Sequence, residues 1–383
     1  MCVMFKITAK YNLSFWESTT FFKDIDYLIV GSGIVGLSAA IELKKKQPSK
    51  KVIVLERGAL PIGASTRNAG FACYGSMTEL IDDMKSTNPA DVWQLVERRW
   101  KGLLALRELL GDENIAYENT GGFEIFDEQD DTYARCMDRR TEFNQMLFEI
   151  TGVKEMYEEV SRDIPSIGLS GISAMIKNKG EGLLHTGKMM DALLRKAQSL
   201  GVDIYFGTAV MNMEESNQGV TVQTGQGWKI ITQQIIIATN GFAKELIPDV
   251  DLRPARNQVL VTSPISNLNL RGGYHYNSGY YYFRNIGNRI LLGGARNIDL
   301  EAETTAKLGL TNTILDELTR FLRETICLNE NPVIEYTWSG IMGVGAEKAP
   351  IVKRLSNHIV LAVRLGGMGV AIGCLVGREA VAV

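Results

Sequence analysis

Apolar residues recur along this chain in three patterns. Short, nearly unbroken runs come first: Asp26 to Val30, Lys51 to Leu55, Val202 to Phe206, Lys229 to Ala238 and His358 to Val363. Runs of about four to eight apolar residues bounded by turn residues read as strands buried on both faces. Helical spacing marks a second set. Leu37 to Lys46 reads as a helix ended by Gln47-Pro48, and Asp91 to Leu110 places Val92, Leu95, Val96 and Trp100 on one face. Asp130 to Phe148 is helical as well. Gly187 to Leu200 carries Met189, Met190, Leu193, Leu194 and Ala197 at helical spacing, with Thr186 expected as its N-cap and Gly201 as its C′ residue. Val370 to Val383 opens a last helix. In the third pattern, Thr208 to Met213 and Gly219 to Thr224 read as a meander. Gln258 to Arg296, rich in tyrosine and β-branched residues with glycine turns, reads as antiparallel strands.

The first strand runs into Gly31-Ser32-Gly33-Ile34-Val35-Gly36, a helix follows, and the second strand closes on Glu56-Arg57. Glu56 lies about 20 residues past the last glycine, the spacing of a dinucleotide-binding βαβ unit. Gly31 permits the tight turn, Gly33 lets a pyrophosphate approach the backbone, and Gly36 lets the helix pack on the sheet. The helix N-terminus offers free N–H donors, and Glu56 can accept from ribose hydroxyls while disfavouring a 2′-phosphate. After Glu56 the chain enters Pro61-Ile62-Gly63-Ala64-Ser65-Thr66-Arg67-Asn68-Ala69-Gly70-Phe71. This loop of small and polar residues suits an extended cofactor whose second half passes close to backbone, where a nicotinamide-binding Rossmann domain would normally continue into another helix; an ordinary surface loop is the alternative. Two further glycine-rich segments follow apolar strands, Ala238-Thr239-Asn240-Gly241 and Arg364-Leu365-Gly366-Gly367-Met368-Gly369.

Composition narrows the class. The 383 residues carry 41 Lys and Arg against 44 Asp and Glu, a net charge of −3, so no basic footprint for nucleic acid is expected. Cys2, Cys73, Cys136, Cys327 and Cys374 are dispersed with no Cys-x-x-Cys, which argues against a disulfide framework and against a metal site. The start lacks a signal-peptide pattern, and no apolar run reaches the ~18–20 residues of a transmembrane span. A cytoplasmic location is expected. Oligomeric state is not legible.

Taken together, Gly31 to Gly36 with Glu56, the Gly-Ala-Ser-Thr-Arg-Asn-Ala-Gly-Phe loop, Ile-Ile-Ile-Ala-Thr-Asn-Gly and the terminal Gly-Gly-Met-Gly-Val-Ala-Ile-Gly resemble the D-amino-acid oxidase (DAO) superfamily, which includes glycine oxidase, sarcosine oxidase and D-amino-acid dehydrogenase. The resemblance runs from about Phe22 to the last residue. It implies an α/β fold, α+β overall, in which a Rossmann-type FAD-binding domain (22–90, 176–248 and 334–383) is interleaved with a substrate domain built on a mixed, largely antiparallel sheet (91–175 and 249–333). Residues 1–21 would be an N-terminal extension. The implied FAD contacts are Gly31, Gly33, Ile34, Val35, Gly36, Glu56 and Arg57, then Ser65, Thr66, Asn68, Ala69, Gly70 and Phe71. Val210, Ala238, Thr239, Asn240 and Gly241 follow, and Gly366, Gly367, Met368, Gly369 and Val370 complete the set. The implied last helix extends past Val383.

The implied reaction is oxidation of the C–N bond of a small amine or amino acid, with O₂ or a quinone as electron acceptor. Tyr280, Tyr282 and Arg284 alternate onto one strand face, and Tyr281 and Phe283 onto the other; alternation does not say which face meets substrate. An aromatic wall with one cation suits an amine bearing a carboxylate. Of the three histidines, His185, His275 and His358, only His275 falls near this segment, which leaves a serine–histidine triad unsupported. A 2-hydroxy-acid dehydrogenase, with His275 as base, and a flavoprotein subunit that needs a partner are the competing expectations. The sequence departs from the family where Trp338-Ser339-Gly340-Ile341-Met342-Gly343 stands in place of a Gly-x-Arg-Pro segment, so that Met342 replaces the usual carboxylate-binding arginine. Arg284, Arg67 and Arg256 are the candidate replacements, with Lys348 as another possible cation, unless the substrate lacks a carboxylate or is larger and gripped elsewhere. No cysteine lies in that segment, so FAD is expected to be held noncovalently.

Overall fold

The computed structural model describes residues 12–326 and 332–383; Cys2, Cys327 and most of the expected N-terminal extension lie outside them. The chain forms two compact units. Of the described residues, the first comprises 12–66, 187–254 and 342–383, and the second 67–186, 255–326 and 332–341. The chain therefore changes unit at residues 66, 186, 254 and 341, where the resemblance implied 90, 175, 248 and 333.

In the first unit, five strands run parallel in the order Ile359–Val363, Lys229–Ile237, Ile25–Val30, Val52–Leu55 and Asp203–Tyr205. Strand Ile351–Arg354 joins the first of these antiparallel, and the meander Val210–Ser216 and Gly219–Thr224 branches from Lys229–Ile237. Val52–Leu55 is unbroken Val, Ile and Leu, and Ile25–Val30 and Lys229–Ile237 each end in a buried run, Leu28 to Val30 and Ile235 to Ile237, as in a sheet covered by helices. Helix Ile34–Lys46 and the last helix, Gly369–Ala382, pack on each other. A Cβ on Gly373 would meet Ile34 Cγ2 at 2.8 Å, and one on Gly377 would meet the Val35 carbonyl at 2.6 Å. These two glycines, one helical turn apart, let the backbones approach.

The second unit is an eight-stranded mixed sheet in the order Ile334–Val344, Arg253–Thr262, Arg289–Gly294, Tyr281–Ile286, Gly273–Tyr276, Gly122–Asp127, Ile172–Asn178 and Tyr157–Glu159. From Arg253–Thr262 to Tyr157–Glu159 the neighbouring strands pair antiparallel, except Gly273–Tyr276 with Gly122–Asp127, which are parallel. One face is closed by helix Asn312–Phe321, whose Ile314, Leu318 and Phe321 join Tyr274, Tyr281, Phe283, Ile290 and Leu292 in a single buried cluster. Helices Pro89–Leu110 and Thr132–Thr151 form a separate core with Tyr74, Met77 and Phe126. Thr186 is the first residue of helix Thr186–Ser199 rather than its cap, and its hydroxyl donates to the Asn68 carbonyl at 3.1 Å. Gly201 takes φ +81, as a C′ glycine does.

Candidate functional site

The first unit holds a cradle at the carboxyl ends of its parallel strands. Strand Ile25–Val30 turns at Gly31, where φ is +102 and a side chain would be strained. Gly33 caps helix Ile34–Lys46 in extended conformation, and a Cβ there would meet Ser65 Oγ at 2.9 Å. On Gly36 a Cβ would fall on the Gly31 carbonyl oxygen. Ile34 and Val35 are buried in the first helical turn, where Ile34 N donates to Ser65 Oγ at 3.0 Å. Glu56 is buried at the end of strand Val52–Leu55, its Oε2 accepting from Ser32 N at 3.1 Å and Ser32 Oγ at 2.7 Å, and its Oε1 from Gly58 N at 2.9 Å. Ser32, between Gly31 and Gly33, was not singled out from sequence, although a hydroxyl in the glycine turn is a donor able to meet the acid that ends the next strand. Arg57 lies over the Phe242 ring at 3.8 Å and pairs with Glu245 at 3.1 Å.

The remaining strand ends complete the cradle. Ala238 N donates to the Val30 carbonyl at 3.0 Å, and a Cβ on Gly31 would meet the Ala238 carbonyl oxygen at 3.0 Å and Thr239 Cα at 3.7 Å. Asn240 takes φ +42, and its Oδ1 accepts from Arg364 N at 3.0 Å and Leu365 N at 3.3 Å. Gly241 is buried in the short helical turn that follows. Gly366 and Gly367 have φ +56 and +86, Met368 caps the last helix, and Gly369 and Val370 begin it. Met342 Sδ lies 3.3 Å from where a Cβ on Gly367 would stand. Arg364 does not present a free cation: its Nη1 pairs with Asp251 at 2.5 Å and its Nη2 with Glu347 at 3.1 Å. Val210 starts a meander strand and packs against the cluster of Ile25, Leu28 and Val222.

These residues fit a dinucleotide. The glycines leave volume that Cβ atoms would fill, and a helix N-terminus faces it. Two buried hydroxyls here, Thr66 Oγ1 and Thr239 Oγ1, have no hydrogen-bond partner among the described residues. Buried polar atoms left unmatched in this way point to a ligand that completes them.

The second unit presents an aromatic sheet face. Tyr281 and Phe283 are buried against helix Asn312–Phe321, so Tyr282 and Arg284 lie on the opposite face. His275 pairs in register with Tyr282 and stacks on Phe71 at 5.0 Å; Tyr282 meets Phe71 edge-on at 5.8 Å. Ala69, Val259, Val261 and Leu291 underlie Phe71, Tyr282 and Trp338. Tyr280 does not join them. It precedes the strand, where alternation has not begun, and packs with the opposite cluster beneath Arg296.

Arg284 serves this face from below. Its Nη1 donates to the carbonyls of Ala69 at 3.2 Å, Gly70 at 3.1 Å and Leu184 at 2.8 Å, and its Nε to Asn285 O at 3.1 Å. Burial lowers its pKa to about 10, so it remains a cation at neutral pH. Asn68 Oδ1 accepts from Gly70 N at 2.8 Å, which fixes the turn at Gly70, φ +76. Arg67 Nη1 donates to Ser339 O at 3.0 Å, and Trp338 Nε1 returns a bond to Arg67 O at 2.9 Å. Arg256 is buried and bidentate with Glu303, at 2.9 and 2.7 Å. Burial pushes the His275 imidazole down to about 4, so it is neutral, and it has no hydrogen-bond partner among the described residues. Glu124 and Glu181, also buried at this face, were missed from sequence; the signal available was an acid inside the apolar stretch Phe123 to Phe126.

A dinucleotide cradle at the switch of a parallel sheet, with a mixed sheet as second unit, defines the class of two-unit flavoprotein oxidoreductases. Residues 26–383 match the DAO family, described as FAD dependent oxidoreductase, and the chain belongs to that family and uses FAD. It is 25% identical over 367 residues to "Probable oxidoreductase OrdL" of Haemophilus influenzae, covering 92% of this chain and 81% of that one. It is 25% identical to the glycine oxidase of Geobacillus kaustophilus, covering 70% and 69%. It is 24% identical to the L-2-hydroxyglutarate dehydrogenase of Salmonella houtenae, covering 60% and 50%. In fold it is similar to L-proline dehydrogenase from P. horikoshii, with a TM-score of 0.74 at 19% identity over 92% of this chain and 91% of that one. Among the described residues no helix is long and apolar enough to cross a membrane, and no group of acids, histidines and cysteines is placed to hold a metal.

Proposed function

We propose that the chain oxidises the C–N bond of a small amine or amino acid, giving an imine that hydrolyses in water. The observation that carries this reading is the face of Phe71, Tyr282 and a neutral His275, which excludes water and accepts an uncharged amine. When bound, FAD supplies the acceptor for the hydride equivalent. The residues that would hold it are Gly31, Gly33, Gly36 and Glu56 for the pyrophosphate and ribose, with Ser65, Thr66, Thr239 and the Gly366–Val370 turn for the rest. The attachment is noncovalent. Arg284 fixes the Ala69–Gly70 backbone beside Phe71 and so positions that ring. For a substrate with a carboxylate, the Nη2 edges of Arg67 and Arg284 are the donors we assign, because Arg256 is fully matched by Glu303. The reduced cysteines Cys73, Cys136 and Cys374 suit a cytoplasmic setting.

A second reading is favoured by the same His275. An unprotonated imidazole without a hydrogen-bond partner among the described residues is the base that a C–OH substrate needs, and a hydroxyglutarate dehydrogenase is among the relatives. Anaerobic titration of the flavin absorbance with amines, amino acids, N-methyl amino acids and 2-hydroxy acids decides between them. Bleaching by a C–N substrate alone supports the first reading; bleaching by 2-hydroxy acids alone replaces it with the second. Acid precipitation that leaves flavin on the protein would refute noncovalent attachment.

A further inference from the structure

The sheet of the second unit carries a group of ionisable side chains that the reading above leaves without a task. Its register sets Tyr282, His275, Glu124 and Ile176 in one row across four strands. The row two residues along, on the same face, is Arg284, Gly273, Gly122, Asn178 and Tyr157. The two glycines make room on that face. A Cβ on Gly273 would meet the Phe71 ring at 2.6 Å, and one on Gly122 would fall on Glu181 Oε2. Glu181 thus lies over the sheet beside Glu124, and both line one small cavity together with His275.

The hydrogen bonds here leave both acids without a cation. Glu124 accepts from Met77 N at 3.0 Å and from the amide and hydroxyl of Thr78. Glu181 Oε1 accepts from Tyr74 N at 3.0 Å and Gly75 N at 3.2 Å. Neither has an ion-pair partner among the described residues, and Arg99 is committed to Glu79 at 3.2 Å. A buried carboxylate without a cation is expensive as an anion. Burial accordingly raises Glu124 to about 7 and Glu181 to about 8, against backbone hydrogen bonds that favour the charged forms. The other ionisable groups packed here are Cys73, Tyr74, Tyr117, Cys136 and Tyr157, all pushed upward by burial and so neutral, and the Glu79–Arg99 pair.

We propose that Glu124 and Glu181 share a buried proton behind His275, and that His275 takes a proton from the substrate and passes it to this pair through the cavity all three line. The identity of the proton donor rests on the proposed function. The substrate N–H (or O–H) bond breaks and a proton joins the free ring nitrogen of His275. The imidazole N–H then breaks as an O–H forms on the ionised carboxylate, and no electrons are exchanged in either step. His275 is the group that touches substrate; the two glutamates are positioning residues that act through it.

Infrared spectroscopy of the FAD-loaded protein over about pH 6 to 9, in H₂O and D₂O, tests the shared proton directly. A protonated-carboxyl stretch that shifts in D₂O and titrates across this range is expected, weakened in Glu124→Gln and in Glu181→Gln. The pH midpoint of substrate-driven flavin bleaching should move by about one unit or more in the variants, as for coupled groups. The proposal is overturned if the wild type shows no titrating carboxyl, or if the midpoint is unchanged in variants that retain FAD. If no amine or 2-hydroxy acid bleaches the wild-type flavin, the substrate reading falls instead. The wild-type infrared titration needs neither substrate nor variant and still decides the proton site.

Discussion

Removing Glu303 separates scaffold from site. Arg256 is 8% exposed and Glu303 0%, and the guanidinium meets the carboxylate with two bonds of 2.9 and 2.7 Å. Gln258 Nε2 donates to the same oxygen at 2.9 Å, and Gln258 Oε1 accepts from Thr311 N at 2.9 Å. Glu303→Ala therefore leaves a buried guanidinium and an amide without their acceptor. Breaking one partner of a buried ion pair costs about 3–5 kcal/mol. The second unit has roughly 200 residues, for which ~2–4 °C of Tm is lost per kcal/mol, so a fall of roughly 6–20 °C is expected. Removing both charges in Arg256→Met/Glu303→Leu should restore most of that loss, since no unpaired charge remains. Calorimetry of the FAD-loaded variants measures the Tm values, and flavin-bleaching kinetics measure KM. The double variant should keep KM within about threefold of wild type. A double variant that melts normally but whose KM rises a hundredfold or more would show that Arg256 grips substrate, and would refute the structural role argued here.

Three other perturbations test separate parts of the chain. Gly36→Ala drives a Cβ onto the Gly31 carbonyl, so strain of about 1–3 kcal/mol should fall on the cradle, and the ratio of flavin to protein absorbance in the purified variant should drop severalfold. Thr239→Val removes a buried hydroxyl that has no partner among the described residues; the FAD-free form should melt no lower than wild type, while FAD affinity, read by fluorescence titration, should weaken about tenfold. The raised pKa values of Glu124 and Glu181 mean that the native protein keeps protons an unfolded chain releases near pH 4.5, so stability falls as pH rises toward 7–8. The depressed His275 acts in the opposite sense, but only between about 4 and 6.5. The Tm should therefore decline between pH 6.5 and 8, and Glu181→Gln should flatten that decline.

Much of the first unit was legible in the sequence because its signals are local. A glycine turn, the helix after it and the acid ending the next strand all act within about 25 residues, and the structure places Gly31, Gly33, Gly36 and Glu56 together. Alternation correctly paired Tyr282 with Arg284 and Tyr281 with Phe283. It could not say which pair faces the core, since that is decided by Ile314, Leu318 and Phe321 on a helix about 30 residues further on. Tyr280 was misplaced because period-two reasoning holds only inside a strand, and the strand begins at Tyr281.

The arginines show why a substrate contact is harder to read than a cofactor contact. Arg67, Arg256 and Arg284 are equivalent candidates by residue type, and only distant partners distinguish them. Glu303 lies 47 residues from Arg256, Ser339 lies 272 from Arg67, and the Ala69 carbonyl 215 from Arg284. Each partner changes what the same guanidinium can do. A carboxylate matched at both oxygens consumes the fork, as in Arg256, whereas carbonyls taken by Nη1 leave a planar edge, as in Arg67 and Arg284. The acids follow the same logic in reverse. Among the described residues Glu124 and Glu181 lack the cation that would hold them ionised, and with neutral His275 in the adjoining register position they are better suited to exchanging a proton than to binding a charge.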